Sequence, residues 1–125
     1  IANRYTTSNA VHQASKLPAG ERREYLDWLF DLEYRRLGLP APDLVVYLDL
    51  PTELSEQMLR RRETATGTQA DIHEQDEEYL RSCRMNARDI AHDLGWTVIH
   101  CDREGAVRTV EDIHEEIWQQ VRRYL

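Results

Sequence analysis

The chain has 125 residues, of which 31% are charged and 41% hydrophobic, a balance typical of one soluble globular domain, so we expect a single domain over residues 1–125. The net charge of −7 argues against binding to nucleic acid, whose phosphates repel an acidic surface, and no apolar run reaches the roughly 18 residues that span a membrane. Two cysteines, Cys83 and Cys101, are too few for a disulfide framework and indicate reduced thiols in a cytoplasmic protein.

The chain opens on a polar stretch, ANRYTTSNAVHQ, at residues 2–13. It concentrates hydrogen-bonding side chains: Arg4, Ser8, Asn9, His12 and Gln13. An arginine here can pair with a phosphate, and the serine, asparagine and glutamine can recognise the polar edge of a ring. If a helix starts at Ser8, the later side chains lie within one turn, near enough to line one pocket. A solvated N-terminal helix accounts for the same residues.

Two short apolar runs predict buried parallel strands. Residues 44–50 (LVVYLDL) follow a Gly- and Pro-containing breaker, and residues 96–101 (WTVIHC) follow Gly95, a natural helix stop. Residues 1–2 are expected to end a third strand. Because ligands of open parallel sheets bind at the carboxyl ends of the strands, we expect a site near Arg4, Asp49 and residues 101–102.

The remaining periodic segments predict helices. Apolar residues recur at helical spacing over residues 19–37, 52–62 and 72–94, and again after Thr109, whose hydroxyl with Asp112 resembles a capping box. Strands that alternate with helices indicate an α/β layer with a parallel sheet.

A polar segment at residues 63–71 interrupts this pattern between two helices. It is either a disordered surface loop or a lid that closes over a ligand, since Arg60, Arg61 and Arg62 stand directly before it. We place the lid at about residues 63–72.

Several common catalytic and metal-binding sequence motifs are missing. His73 and His114 each begin an H-E-x-x-H pattern but lack its second histidine, so no protein-held metal site is predicted. Neither the nucleophile elbow G-x-S-x-G nor the phosphate-binding loop G-x-x-x-x-G-K-[ST] occurs in the 125 residues.

Three segments together resemble a known family. NRYTTSNAVHQ (residues 3–13) resembles the D-R-Y-x-x-S-x-x-A-x-Q segment of thymidylate kinases, and PDLVVYLDLPTEL (42–54) is similar to a strand of that family. An Arg-Arg-Arg helix end and a lid follow, and residues 95–118 resemble the last strand, adenine-side loop and final helix. The resemblance implies an α/β fold of the P-loop nucleotide kinase type, with a parallel sheet flanked by helices in three αβα layers, of which this chain is a part.

The resemblance also implies roles for the residues of the polar stretch. Arg4 would contact the phosphate of dTMP, with Ser8 beside the sugar and phosphate and Asn9 at the thymine edge. His12 stands where the family has a tyrosine packed by the deoxyribose, and Gln13 lies on the same pocket wall. Asn3 replaces the family's aspartate, which removes a charge from the site.

On the ATP side, the resemblance places Arg60 beside the adenine and Arg62, the catalytic candidate, near the transferring phosphoryl group. Asp102 and Arg103 would form the far wall of the adenine site within the loop 101–105. Mg²⁺ would accompany ATP, and a homodimer is implied.

The implied activity is phosphoryl transfer from ATP to dTMP, giving dTDP for dTTP synthesis. Whole thymidylate kinases extend further at the N-terminus, where they carry a P-loop, so we expect this chain to be a C-terminal portion that is inactive by itself. Two alternatives stay open: a deoxynucleoside kinase, and a non-catalytic kinase-like module that binds nucleotide or a partner.

Overall fold

A parallel pair of strands forms the centre of the fold. The computed structural model describes residues 1–67 and 77–125. Strand β1 (Val46–Asp49) pairs in parallel with β2 (Thr97–His100), with the aspartate opposite the histidine at the carboxyl ends. Both predicted strands are confirmed, although each is shorter than its apolar run, and a small parallel sheet among many helices is compatible with the α/β class.

The expected third strand is wrong. Ile1 and Ala2 have no strand structure, and Ile1 is fully exposed. Within the described ranges the sheet consists of β1 and β2, and residues 1–2 pair with neither strand.

The first helices differ from the prediction at their ends. Helix α1 (Thr6–His12) begins two residues before Ser8, with Tyr5 as its N-cap residue. Helix α2 (Ala19–Phe30) continues as a π-helical segment over Asp31–Arg36, in which Leu37 N–H donates to Leu32 O at 2.9 Å. The single α-helix predicted over residues 19–37 is therefore an α-helix followed directly by a π-helix.

The crossover between the two strands contains helices α3 (Thr52–Thr66) and α4 (Glu77–Leu94). Helix α3 extends four residues beyond its predicted end at residue 62, so residues 63–66 of the expected lid are helical. Gly67 closes the helix in the left-handed conformation, at φ 66°. The rest of the expected lid, residues 68–72, and the predicted start of α4 lie outside the described residues.

The carboxyl end of the chain contains a hairpin and a helix. Strands β3 (Asp102–Arg103) and β4 (Ala106–Val107) pair antiparallel around Glu104 and Gly105, whose φ values of 52° and 79° fit a type I′ turn. Helix α5 (Val110–Val121) follows. Its predicted cap is confirmed, since Asp112 N–H donates to the Thr109 hydroxyl at 3.2 Å.

The core lies where α1, α2 and α4 meet. Ala10, Leu29 and Ile90 are buried together, one from each helix. Asn86 of α4 is also buried, and its amide donates to the carbonyl of Val11 at 2.8 Å. This packing fixes α1, the helix that carries most of the predicted site, against the longest helix of the described chain.

Cys83 and Cys101 are both buried free thiols, as the cysteine count predicts. Among the described helices, none is long and apolar enough to cross a membrane.

Candidate functional site

A cavity of about 400 Å³ lies between the N-terminal segment and the first strand of the sheet. Residues 2–5 and one face of α1 form one wall, and residues 44–48, which lead into β1 and form most of it, make up much of the other. Part of the polar opening stretch therefore lines a cavity beside β1, whereas the strand ends predicted to share the site, Asp49 and residues 101–102, are not in its lining.

Arg4 stands at this cavity in an uncommon backbone conformation. Its φ is 67°, in the left-handed region that non-glycine residues seldom adopt, and its Nε donates to the Ser8 hydroxyl at 2.9 Å. Within residues 1–67 and 77–125, no carboxylate forms an ion pair with Arg4. A hydroxyl partner orients the exposed guanidinium without neutralising it, so its charge stays available to an anion.

His12 is the third predicted residue that lines the cavity. Its Nδ1 lies 3.8 Å from the Cys83 Sγ of α4, and the Tyr79 hydroxyl donates to its carbonyl at 3.5 Å. Burial, and secondarily the hydrogen bond with Cys83, raise the pKa of Tyr79 to about 12. The phenol is therefore a neutral donor at physiological pH, and α4 holds this end of α1 in place.

The other two predicted members of the pocket face elsewhere. Asn9 is exposed and its Nδ2 donates to Glu33 Oε1, 3.2 Å away in the π segment. Gln13 is exposed at the C-cap of α1. The structure thus brings Arg4, Ser8 and His12 together around the cavity, and it does not bring Asn9 and Gln13 into the same lining.

The arginines before the expected lid lie on α3, away from this cavity. Arg60 and Arg62 are exposed, and Arg62 lines a second cavity of about 390 Å³ with Leu50 and Leu80. The roles given to both arginines stay predictions.

The predicted adenine-side residues lie on the β3–β4 hairpin. Asp102 is partly buried, and Arg103 is exposed with its Nη2 3.3 Å from Asp112 Oδ2 of α5. That the hairpin contacts adenine stays a prediction.

Sequence reasoning missed the ion pair between Asp49 and Arg84. Asp49 ends β1 with its side chain 2% exposed, and Arg84 of α4 donates to its two oxygens at 2.7 Å and 3.3 Å. Arg88 Nε and His100 Nδ1 lie 3.8 Å and 3.5 Å from the same carboxylate. A lone aspartate in a buried apolar strand signals that some cation must meet it.

The hydrogen bond to Asp49 raises the pKa of Arg84 above its usual value. Burial, followed by the negative charge of Asp49, raises the pKa of the neighbouring Tyr47 to about 12. With these pKa values, Arg84 is positively charged and Tyr47 is uncharged at neutral pH, so Arg84 can pair with the Asp49 carboxylate.

A second charged network fixes the hairpin and α5. Arg108 has a side chain only 7% exposed, and it donates to Asp112 Oδ2 at 2.7 Å, to Glu116 Oε2 at 2.6 Å and to the carbonyl of His100 at 2.6 Å. The hydrogen bond from Arg108 lowers the pKa of Asp112. The carboxyl end of β2 is therefore tied to α5 by one arginine.

The described residues do not fit a protein-held metal ion. Across residues 1–67 and 77–125, no three His, Cys, Asp or Glu side chains are grouped so as to hold one.

Comparison with known proteins gives a relative of this chain. It is 35% identical over 106 residues to the thymidylate kinase of Mycobacterium tuberculosis, from strains CDC 1551 / Oshkosh and ATCC 25618 / H37Rv alike. The match covers 82% of this chain and 50% of that enzyme, so the chain spans about half the length of the curated relatives it matches. No family model matches the chain, and no solved structure does. The resemblance to the thymidylate kinase family that the sequence motifs indicate is thus confirmed over most of this chain.

Proposed function

We propose that this chain is the dTMP-binding part of a thymidylate kinase of the P-loop kinase fold, which transfers a phosphoryl group from ATP to dTMP and yields dTDP for dTTP synthesis. The similarity to thymidylate kinase supports a reaction of the thymidylate kinase type, phosphoryl transfer to a nucleotide. The observation that carries the substrate side is Arg4, which Ser8 orients at a cavity beside the sheet and which pairs with no carboxylate of residues 1–67 and 77–125.

The chemistry favours a substrate that already bears a phosphate. Phosphoryl transfer depends on alignment of donor and acceptor and on cations placed near the transferring group. Arg4 can give the acceptor phosphate a charge-assisted pair of hydrogen bonds, which holds the nucleophilic oxygen in position. A nucleoside without phosphate would make no use of it.

The nucleoside would extend from this anchor along α1. Ser8 would contact the sugar and phosphate, and His12 would pack by the deoxyribose. Asn9 and Gln13, which are exposed on the adjoining face of the same helix and outside the cavity lining, would meet the thymine edge. These roles rest on the family resemblance together with the position of α1.

The ATP side is proposed from the resemblance. Arg60, Asp102 and Arg103 would flank the adenine, and Arg62 would place its charge on the transferring phosphoryl group. Mg²⁺ would arrive bound to the phosphates of ATP, as part of the substrate. A homodimer is also proposed, and Trp28, 56% exposed on α2, is a candidate interface residue.

Titration of the full chain with dTMP tests the anchor. Arg4→Ala is expected to weaken dTMP binding by about 1.5–3 kcal/mol, or roughly 10- to 100-fold, because a charge-assisted hydrogen bond is lost. Arg23→Ala is the matched control, since Arg23 is an arginine exposed on α2 whose nearest charge partner is Asp27. Undiminished dTMP affinity in Arg4→Ala would reject the assignment.

Turnover tests the catalytic arginine. In a form of the protein that converts ATP and dTMP, Arg62→Ala is expected to lower kcat on the order of 10³- to 10⁵-fold with little change in dTMP affinity, because its charge acts on the transition state. Arg61→Ala, one residue away on α3 and also exposed, is the control. Equal kcat values for the Arg62 variant and wild type would exclude this role.

A non-catalytic nucleotide-binding module is the second candidate. It is favoured by Asn3, which lines the cavity beside Arg4 with an amide where the resemblance implies a carboxylate. This candidate predicts dTMP binding without turnover. Titration with thymidine in place of dTMP separates both candidates from a deoxynucleoside kinase, which would bind the unphosphorylated nucleoside as well as it binds dTMP.

A further inference from the structure

Glu33 is a buried carboxylate directly behind the proposed nucleotide helix. Glu33 lies in the π segment and is only 7% exposed. Its Oε1 accepts a hydrogen bond from Asn9 Nδ2 at 3.2 Å. Among the described residues, no donor reaches its other oxygen, Oε2. Burying a carboxylate is unfavourable unless it is well hydrogen-bonded, so packing alone does not account for a glutamate at this position.

The π segment aims this carboxylate at α1. Two consecutive residues of the segment make side-chain hydrogen bonds to that helix, Glu33 to Asn9 and Tyr34 to Thr6, the latter at 2.6 Å. Leu39 N–H then donates to the Glu33 carbonyl at 3.0 Å, which closes the segment. Departures of this kind from the α-helix recur at functional sites, where they redirect a side chain.

The contact fixes which way the Asn9 amide points. Glu33 Oε1 accepts from the NH₂ group of the Asn9 amide, and this hydrogen bond turns the amide oxygen away from Glu33. Asn9 is exposed, and the oxygen on the far side of its amide, Oδ1, is left to act as an acceptor for a ligand. Without the carboxylate, either end of the amide could face outward.

We infer that Glu33 is a positioning residue that sets base specificity through Asn9. An outward Oδ1 accepts from a base whose ring nitrogen carries a proton, such as N3–H of thymine or uracil. It meets the lone pair of cytosine N3 unfavourably, because two acceptors then face each other. The inference rests on the proposed function, which places the base edge at Asn9.

The test compares dTMP, dUMP and dCMP as ligands of the full chain. In Glu33→Gln the new amide can present either its oxygen or its NH₂ group, so the Asn9 amide is free to turn over. We expect the preference for dTMP over dCMP to fall about tenfold or more, while the preference between dTMP and dUMP stays unchanged, because both pyrimidines donate from N3.

Tyr34→Phe is the matched control. It removes the neighbouring hydrogen bond between the same two elements, to Thr6, without touching the amide of Asn9. Its ratio of dTMP to dCMP affinity should equal that of wild type. In an Asn9→Ala background, Glu33→Gln should change the ratio no further, since the group that Glu33 orients is gone.

Wild-type selectivity that survives in Glu33→Gln overturns the inference and leaves the proposed function standing. An equal loss of affinity for both nucleotides in the Glu33 and Tyr34 variants also overturns it, because that result describes a structural role only. Failure of wild type to bind dTMP rejects the proposed function and the inference with it. If circular dichroism shows Glu33→Gln unfolded, Glu33→Asp serves instead, because it keeps the charge but shortens the reach to Asn9, and the same loss of preference is expected.

Discussion

Arg4 and Arg84 show how one side chain serves two purposes in this molecule. Arg84 makes two hydrogen bonds to the buried carboxylate of Asp49, at 2.7 Å and 3.3 Å, where β1 ends. Arg4 is exposed at the cavity and bonds to a hydroxyl, that of Ser8, at 2.9 Å. Both arginines are charged, but the charge of Arg84 is compensated by a buried carboxylate, whereas no carboxylate of the described residues pairs with Arg4.

The difference teaches that the partner decides what an arginine does. A carboxylate satisfies the guanidinium and converts it into a structural tie, whereas a hydroxyl orients it and leaves it able to bind an anion. Variants at the two sites should therefore have different effects: a variant at Arg84 should mainly destabilise the protein, and a variant at Arg4 should mainly weaken ligand binding.

The largest effect is expected from Arg84→Ala. It leaves the Asp49 carboxylate buried without its bidentate partner, which costs about 3–5 kcal/mol in such cases. Arg88 and His100, at 3.8 Å and 3.5 Å from Asp49, should hold the loss toward the lower end of that range. Urea unfolding followed by circular dichroism measures the change.

The control for that variant removes both charges. The double variant Asp49→Leu with Arg84→Met fills the space with apolar side chains and should recover much of the stability, because no charge is left buried and unpaired. A loss below about 1 kcal/mol in Arg84→Ala would mean that this ion pair is no more structural than an exposed one.

A smaller effect is expected at Asp112, where the pKa is lowered from 3.8 mainly by the hydrogen bond from Arg108. A carboxyl whose pKa is lower in the folded state stabilises the protein above its unfolded pKa and loses that contribution as the pH falls through the folded pKa. Asp112→Asn should therefore lower the melting temperature at pH 7, by less than Arg84→Ala does.

The pH dependence sharpens this prediction. The difference in melting temperature between wild type and Asp112→Asn should stay constant above about pH 5 and shrink as the pH falls below 4. Thermal unfolding scans over that range provide the measurement. A difference that persists unchanged at pH 2 would show that the charge of Asp112 is not what stabilises the hairpin and α5.

The smallest effect on stability is expected at Arg4. Its side chain is exposed and has no carboxylate partner in the described chain, so Arg4→Ala should change the free energy of unfolding by no more than about 0.5 kcal/mol. Urea unfolding of this variant beside Arg84→Ala completes the comparison. A loss at Arg4 comparable to that at Arg84 would erase the distinction between an anion-binding and a structural arginine.

Predictions from local chemistry were accurate where the deciding partner is close in sequence. The Thr109 cap is satisfied three residues later by Asp112, and Gly95 ends α4 at φ 67°, with Trp96 N–H donating to Ala91 O at 2.8 Å. The two apolar runs became β1 and β2, because buried strands are recognisable from their composition.

Other boundaries moved for identifiable reasons. Helix α3 runs past residue 62 to its C-cap at Gly67, and the hydroxyls of Thr64 and Thr66 find acceptors within it in the carbonyls of Arg60 and Arg62, at 2.9 Å and 2.8 Å. Residues 1–2 do not form the expected strand because they pair with neither β1 nor β2, and a cavity lies between the N-terminal segment and residues 44–48.

The two strands, most of the helices and the polar stretch that contains Arg4 could be predicted from the sequence, because these features depend on residues a few positions apart. Only the tertiary structure decided that Arg84 meets Asp49 and that Glu33 holds Asn9, across 35 and 24 residues of chain. The tertiary structure also decided that Ser8 and His12 face the cavity, whereas Asn9 faces Glu33 on another side of α1. A buried carboxylate must find a donor, but which donor it finds depends on how the helices pack, and periodicity along the chain does not carry that information.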